Sequence, residues 1–225
     1  MSLLNHSLGT LAREIPGATR VFHHYRLDCC CGGSALLSEA LAEHGLDTAE
    51  VIARLEALPA RNGNDTDWSR AGNGDLIDHI LARYHEVHRQ QLTELIGLAR
   101  RVEAVHADNP LCPEGLTVHL EEMRQELESH MQKEEQILFP MLRRGLFAPA
   151  QGPISVMRLE HDDHGQALAR LLELTNHLAL PADACASWQA LYTGIEELQL
   201  DLMQHIHLEN NLLFSPSRHQ EVQHG

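Results

Sequence analysis

Four stretches of the chain repeat apolar residues at alternating three- and four-residue steps, the period of a helix with one buried face. Within residues 114–144 the series runs Leu116, Leu120, Met123, Leu127, His130, Glu134, Ile137, Met141. Within 183–213 it runs Trp188, Leu191, Ile195, Leu198, Leu202, His205, Glu209, Leu212, and within 153–178 it runs Ile154, Met157, His161, His164, Leu168, Leu171, Thr175, Leu178. Residues 75–106 carry a less regular face of Leu81, His85, His88, Leu92, Leu95, Ala99 and Val102. Turn-forming stretches at 108–113, at 145–153 and at Pro181 separate the four. Gaps this short make consecutive helices antiparallel neighbours, so the pattern predicts an all-α chain built on an up-down-up-down four-helix bundle.

Residues 59–74 are rich in Gly, Asn and Asp and cannot bury a face, so they read as a linker. Ahead of it, residues 1–58 predict a small helical, Cys-containing module. Its short helices flank a tight turn at Cys31-Gly32-Gly33, and its apolar series (Leu36, Leu37, Ala40, Leu41, then Val51, Ile52, Leu55, Leu58) would make a marginal core alone. The expected domains are therefore 1–58, the linker 59–74, and a bundle over 75–216.

The strongly polar interruptions of the four faces are His and Glu. A Glu on a core face is expensive unless its charge is neutralised. Here Glu134 and Glu209 each follow a His by one helical turn, and residues four apart point the same way. Two metal ions would satisfy both carboxylates by bridging. At about 1.5 Å per residue, His85 and His161 lie roughly 12–15 Å from the starts of helices one and three. His130 and Glu134 lie about 15–21 Å from the end of helix two, and His205 and Glu209 about 6–12 Å from the end of helix four. In an up-down-up-down bundle those ends coincide, so the six residues share one level. A single His on an apolar face is more often a hydrogen-bonded core residue. Four at one level beside two Glu point instead to a metal.

Imidazole and carboxylate without thiolate suit iron or manganese better than structural zinc. The His-x-x-x-Glu pairs and the excess of nitrogen over oxygen point away from the Glu-x-x-His ferritin-like proteins and toward a hemerythrin-like site. His88 and His164 lie one turn deeper than His85 and His161. Each could be a fifth nitrogen ligand, a supporting donor or a packing residue. Glu160 reads as a solvated or supporting carboxylate, and Glu126 as part of a solvated face that could otherwise line an access route. His106 shares a face with His85 but lies about 31 Å along the helix, too far for the same site.

Charge and thiols narrow the partners. Seventeen basic against thirty-two acidic residues give a formal charge of -15, which repels nucleic acid phosphates and anionic membranes alike. No basic-then-apolar leader and no apolar run of about 20 residues is present, so a soluble, cytoplasmic protein is expected. The five cysteines, three of them consecutive (Cys29, Cys30, Cys31), have no disulfide-framework spacing and fit a reducing compartment. Two readings of the run stay open. A thiol of low pKa beside the Gly-Gly turn would accept a nitrosyl or transfer iron or electrons. Alternatively the cysteines only pack the module, since consecutive residues lack the C-x-x-C spacing that joins one metal. Cys112 and Cys185 are isolated and read as structural.

The segments RYHEVHRQQL (83–92), SHMQKEEQILFPM (129–141), GPISVMRLEHDDHG (152–165) and LMQHIHLENNLLF (202–214), with Asp28 to Gly33, resemble the repair-of-iron-centres family. These are di-iron proteins of iron–sulfur cluster repair. The resemblance implies two non-haem iron ions per chain, oxo- and carboxylate-bridged, with ligands His85, His130, His161 and His205 and bridging carboxylates Glu134 and Glu209. It makes Cys30 and Cys31 candidate redox or transfer thiols. It further implies a cytoplasmic homodimer that acts on iron–sulfur proteins after nitrosative or oxidative damage, by donating iron or handling nitric oxide. Two departures stand out: Cys29 replaces the Tyr of the family signature, and Ser215 intervenes before Pro216 where relatives run Leu-Phe-Pro. Other functions remain open, namely a scavenger or sensor of nitric oxide or oxygen and a di-iron nitric oxide reductase, so whether the chain is an enzyme is undecided. A simple carrier would need only the bundle, and the Cys module argues against one.

Overall fold

The computed structural model describes residues 3–29, 33–58 and 67–215. Cys30, Cys31 and Gly32, and with them the candidate thiols, lie outside the described residues. The described residues are helical apart from turns, a short 3-10 turn and one isolated antiparallel bridge, Ser7 to Leu36. None of these helices is long and apolar enough to cross a membrane. The chain divides into two compact units, His79–Leu202 on one hand and Met1–Asp78 with Met203–Gly225 on the other.

In the unit His79–Leu202, four long helices form the bundle: α6 (Glu86–Val105), α7 (Leu116–Lys133), α9 (Phe147–Leu174) and α10 (from Ala186). Side-chain ladders fix their directions. Between α6 and α7, Arg89 donates to Glu128 (2.8 Å), Arg100 to Glu121 (2.8 Å), and the Thr117 hydroxyl to Glu103. One number climbs as the other falls, so the helices run antiparallel. The same holds of α7 and α9, where His130 meets Glu160 and the His119 imidazole donates to the Ala167 carbonyl. For α10, Asp201 accepts from Arg83 and Gln91 while Cys185 lies against His106. The topology is up-down-up-down. Leu92, Leu120, Leu127, Leu171 and Leu198 are among the side chains that fill its core.

Three turns in these helices are wider than an α turn. The Glu86 N–H bonds back to the Leu81 carbonyl and the Phe139 N–H to that of Glu134. Likewise the Phe214 N–H donates to the Glu209 carbonyl at 2.7 Å. Each bond closes over one residue more than in an α-helix, the π geometry that recurs at functional sites. The extra residue rotates the downstream face by one position. Ile137, expected on the buried face, is therefore 54% exposed, and Leu138, Phe139 and Leu142 are buried instead. Upstream of the first wide turn, Ile80 rather than Leu81 faces the core for the same reason. A further difference is that α9 begins at Phe147 and carries Pro153 inside it. Two turns into the helix, Pro153 lacks the N–H that would bond the Pro149 carbonyl, and the helix runs on with that one bond missing.

The other unit holds α1 (Leu8–Glu14), α2 (Ala18–His24), α3 (Leu37–Glu43), α4 (Thr48–Glu56) and the start of α5 (Asn73–Ile80). Leu8, Leu11, Phe22, Leu37, Leu41 and Leu55 form its core, with Met203 packed against them. Ser7 caps α1 by accepting from the Thr10 N–H, and Asp47 caps α4 by accepting from those of Ala49 and Glu50. Backbone passes close to backbone at Gly9 and Gly33, where the Gly9 N–H donates to the Gly33 carbonyl at 2.8 Å. A Cβ on Gly33 would lie 2.8 Å from the Cys29 carbonyl oxygen, and one on Gly9 would lie 2.7 Å from the Asn211 side-chain oxygen.

Gly33→Ala should therefore lower stability by about 1–3 kcal/mol, because the clash is with backbone that cannot swing aside. The midpoint of denaturant unfolding checks this, and an unchanged midpoint would show that the loop yields. The two bundle cysteines should differ in reactivity. The His106 imidazole, 3.1 Å from Sγ, and the Trp188 backbone N–H lower the pKa of Cys185. Burial, followed by the charges of Glu103 and Glu114, raises that of Cys112. At mildly alkaline pH, iodoacetamide should label Cys185 faster than Cys112, as read by peptide mass spectrometry.

Candidate metal centre

The six residues picked out by the sequence pattern are buried: His85, Glu134, His161 and Glu209 have no exposure, and His130 and His205 have 1%. Helical spacing sets up each pair. His130 and Glu134 are one turn apart where α7 opens into its wide turn, with Nε2 3.4 Å from Oε2. His205 and Glu209 repeat this at the end of α10, with Nε2 3.1 Å from Oε1. His85, the last residue of the first wide turn, places Nε2 3.5 Å from the Glu134 Oε2. His161 on α9 places its Nε2 3.2 Å from that of His130. All four imidazoles thus point Nε2 inward.

The outward nitrogens explain this orientation. The Nδ1–H of His85 donates to Glu135 at 2.8 Å, and that of His130 to Glu160 at 2.9 Å. A carboxylate only accepts, so the proton sits on Nδ1 and Nε2 is left with its lone pair turned inward, the tautomer of a metal ligand. Behind the carboxylates stand cations: Arg89 donates to Glu135 at 2.9 Å, and Lys133 donates to Glu160.

One ligand atom each from His85, Glu134, His205 and Glu209 lies within 4.8 Å of the others, and so does one each from His130, Glu134, His161 and Glu209. Both carboxylates occur in both groups. These are acceptor atoms, imidazole lone pairs and carboxylate oxygens, gathered out of water. Cations are what such a set holds, and its hardness suits iron or manganese. The donor set fits the metal that the sequence suggests.

Other candidates fall outside the two groups. The His88 Nδ1 lies 3.1 Å from the Gln91 side-chain oxygen. The ring of His164 meets that of His130 edge-on at 4.9 Å. His106 packs on Trp188 and Cys185. Glu126 is solvent-exposed. His207, between His205 and Glu209, is kept neutral: burial, then Arg13, pushes its pKa down to about 4. Its Nδ1 accepts from the Asn211 side-chain amide, which also donates to the Cys29 carbonyl. Sequence reasoning missed Glu135 and Arg89, and left Glu160 undecided. Adjacency to the candidate ligands, as of Glu135 to Glu134 and of Glu160 to His161, was the available signal.

Residues 76–215 match the model of the Hemerythrin HHE cation binding domain, and residues 4–59 match a Domain of Unknown function (DUF542). The chain is 50% identical over 216 residues to the Probable iron-sulfur cluster repair protein of Haemophilus influenzae, covering 95% of this chain and 97% of that one. It is 49% identical over 214 residues to the Iron-sulfur cluster repair protein YtfE of Yersinia pseudotuberculosis and to that of Citrobacter koseri, with the same coverage. The chain belongs to the iron–sulfur cluster repair branch of the hemerythrin family. Membership accounts for the helical fold, the small amino-terminal module and the buried His/Glu groups of this hemerythrin-type bundle.

The centre generates a paired prediction. Glu134→Leu with Glu209→Leu should abolish iron binding while the helical circular dichroism survives. In the metal-free state the same variant should melt no lower than the wild type, because apolar side chains replace buried charges. Retained iron would show that the carboxylates are not ligands.

Proposed function

We propose that this chain is a di-iron protein that repairs iron–sulfur clusters damaged by nitrosative or oxidative stress, by donating iron, by handling nitric oxide at the cluster, or by both. The observation that carries the reading is the sharing of Glu134 and Glu209 by the two buried groups. Two carboxylates common to two ligand sets are what a carboxylate-bridged pair of ions requires. His85 and His205 would hold one iron and His130 and His161 the other, with Glu134, Glu209 and an oxo group as bridges. When bound, the pair supplies transferable iron and a redox couple.

The chain's own residues do the rest. Glu135 and Glu160 hold the Nδ1 protons of His85 and His130 and so present Nε2 as a ligand. Six side chains offer fewer donor atoms than two six-coordinate irons accept, which leaves positions for small ligands such as nitric oxide. Cys30 and Cys31 are the thiols we assign to transfer or redox chemistry, on a module over residues 1–58 joined by the linker 59–74 to a bundle over 75–216. The relatives' names speak for repair rather than for gas carriage or nitric oxide reduction. The same reading places the protein in the cytoplasm, as a homodimer, with damaged iron–sulfur proteins as its partners and neither nucleic acid nor membrane among them.

Anaerobically purified protein should contain about two irons per chain, as bridged di-metal helical bundles do. Stoichiometric zinc, or no metal, would overturn the assignment. Added to an enzyme whose cluster nitric oxide has damaged, the iron-loaded chain should restore activity. The Glu134→Leu/Glu209→Leu variant should not, and Cys30→Ser/Cys31→Ser should restore it more slowly. Equal recovery with the carboxylate variant would remove the centre from the function.

A further inference from the structure

Two imidazoles of the centre are propped from behind, and the props are built differently. His130 leans on Glu160, whose other oxygen meets Lys133, a flexible point charge with 44% of its side chain exposed. His85 leans on Glu135, and the same Oε1 that accepts the His85 Nδ1–H at 2.8 Å accepts from Arg89 Nη2 at 2.9 Å. Arg89 is gripped elsewhere as well. Its Nε and Nη2 donate to the two oxygens of Glu128 at 2.8 and 3.2 Å, and its Nη1 donates to Glu86 at 3.3 Å. The fork on Glu128 pins a planar guanidinium across α6 and α7, and a pinned guanidinium leaves the second N–H of Nη2 one direction, toward Glu135.

We propose that Arg89 is a positioning residue of the metal centre: through Glu135 it fixes the His85 ring with Nε2 inward, and thereby sets the affinity and reduction potential of one ion of the pair. The inference rests on the six-ligand reading above. A carboxylate that accepts Nδ1–H locks the ligand tautomer and raises the basicity of Nε2, and losing such a partner weakens metal binding by about 10–100-fold. His85 occurs only in the group with His205, and His130 only in the group with His161, so the effect is confined to one ion. Lys133 and Glu160 serve the other.

The test uses the full chain, loaded anaerobically with ferrous iron, in Glu135→Gln, Arg89→Met, the double variant and Lys133→Met. Iron per chain, the rate of iron loss to a ferrous chelator, the midpoint potentials and the helical circular dichroism are measured. In Glu135→Gln and Arg89→Met, one of the two irons should leave about tenfold faster or more, and its potential should rise because a weaker imidazole donor stabilises the ferric state less. The double variant should be no worse than Glu135→Gln, since Arg89 acts through Glu135. Lys133→Met should leave that iron unchanged.

Wild-type release and potentials in Glu135→Gln, or additive losses in the double variant, would overturn the inference while wild type with two irons keeps the functional reading intact. Wild type without iron would fell that reading first. Should Arg89→Met lose helix content, Arg89→Lys decides. It keeps the charge without the fork and should still release the same iron faster, whereas wild-type behaviour counts against positioning.

Discussion

Two carboxylates held fully out of water, Glu134 and Glu209, are the constraint on which the rest depends. Each ionised carboxylate carries a desolvation penalty of several kcal/mol, and two facing one another add repulsion. A bundle that kept Glu134 and Glu209 for stability alone would do better with leucine. Their burial makes sense when positive charge is delivered between them, and the surroundings agree with that demand. Four imidazoles turn Nε2 toward the same place, and the carboxylates behind His85 and His130 keep the protons of those two on the far nitrogens. Basic side chains at the surface, Arg89 and Lys133, then complete a chain of alternating charge from solvent to core.

Much of this was legible in the sequence because it depends on short-range periodicity. Residues four apart share a helix face wherever they occur, so His130/Glu134 and His205/Glu209 declared themselves. The four helices followed from their apolar seams and from the breakers between them. The phase of those seams was not legible beyond the candidate ligands, because stepping by three and four assumes a constant turn. The wide turn at Glu134 breaks that assumption, and Ile137 exchanges places with Leu138. Nor could the props be read, since Arg89 and Glu128 lie far apart in sequence and meet only through the register of two antiparallel helices. Pro153 misled for a local reason: with Gly145 and Gly152 it reads as part of a breaker that the helix follows, although the helix begins at Phe147 and continues through it.

The amino-terminal residues are organised by close approach rather than by a large core. Gly9 and Gly33 let two backbone segments touch, and Asn211 presses into the same place while its amide holds the carbonyl of Cys29. Asn211 sits two residues beyond Glu209, within the same wide turn. The residue preceding Cys30 is therefore tethered to the turn that a metal-ligand candidate begins, which gives this turn two duties on its two sides. Cys29 itself is fully buried. Its departure from the family's Tyr is accordingly a change in packing within the module's core.

The wide turns also bear on how such a chain could have arisen and how it tolerates change. Each contains one residue beyond the regular helical count, as though a single codon had been added to an older, uninterrupted helix. Taking one residue out of such a turn would return the helix to ordinary winding with the later core positions still facing inward. What would be lost is the slack that lets a backbone bulge beside His85, Glu134 and Glu209. Length variation within this lineage should then be tolerated in the loops and punished at these three places, where the surplus residue is the one that a helix alone has no use for.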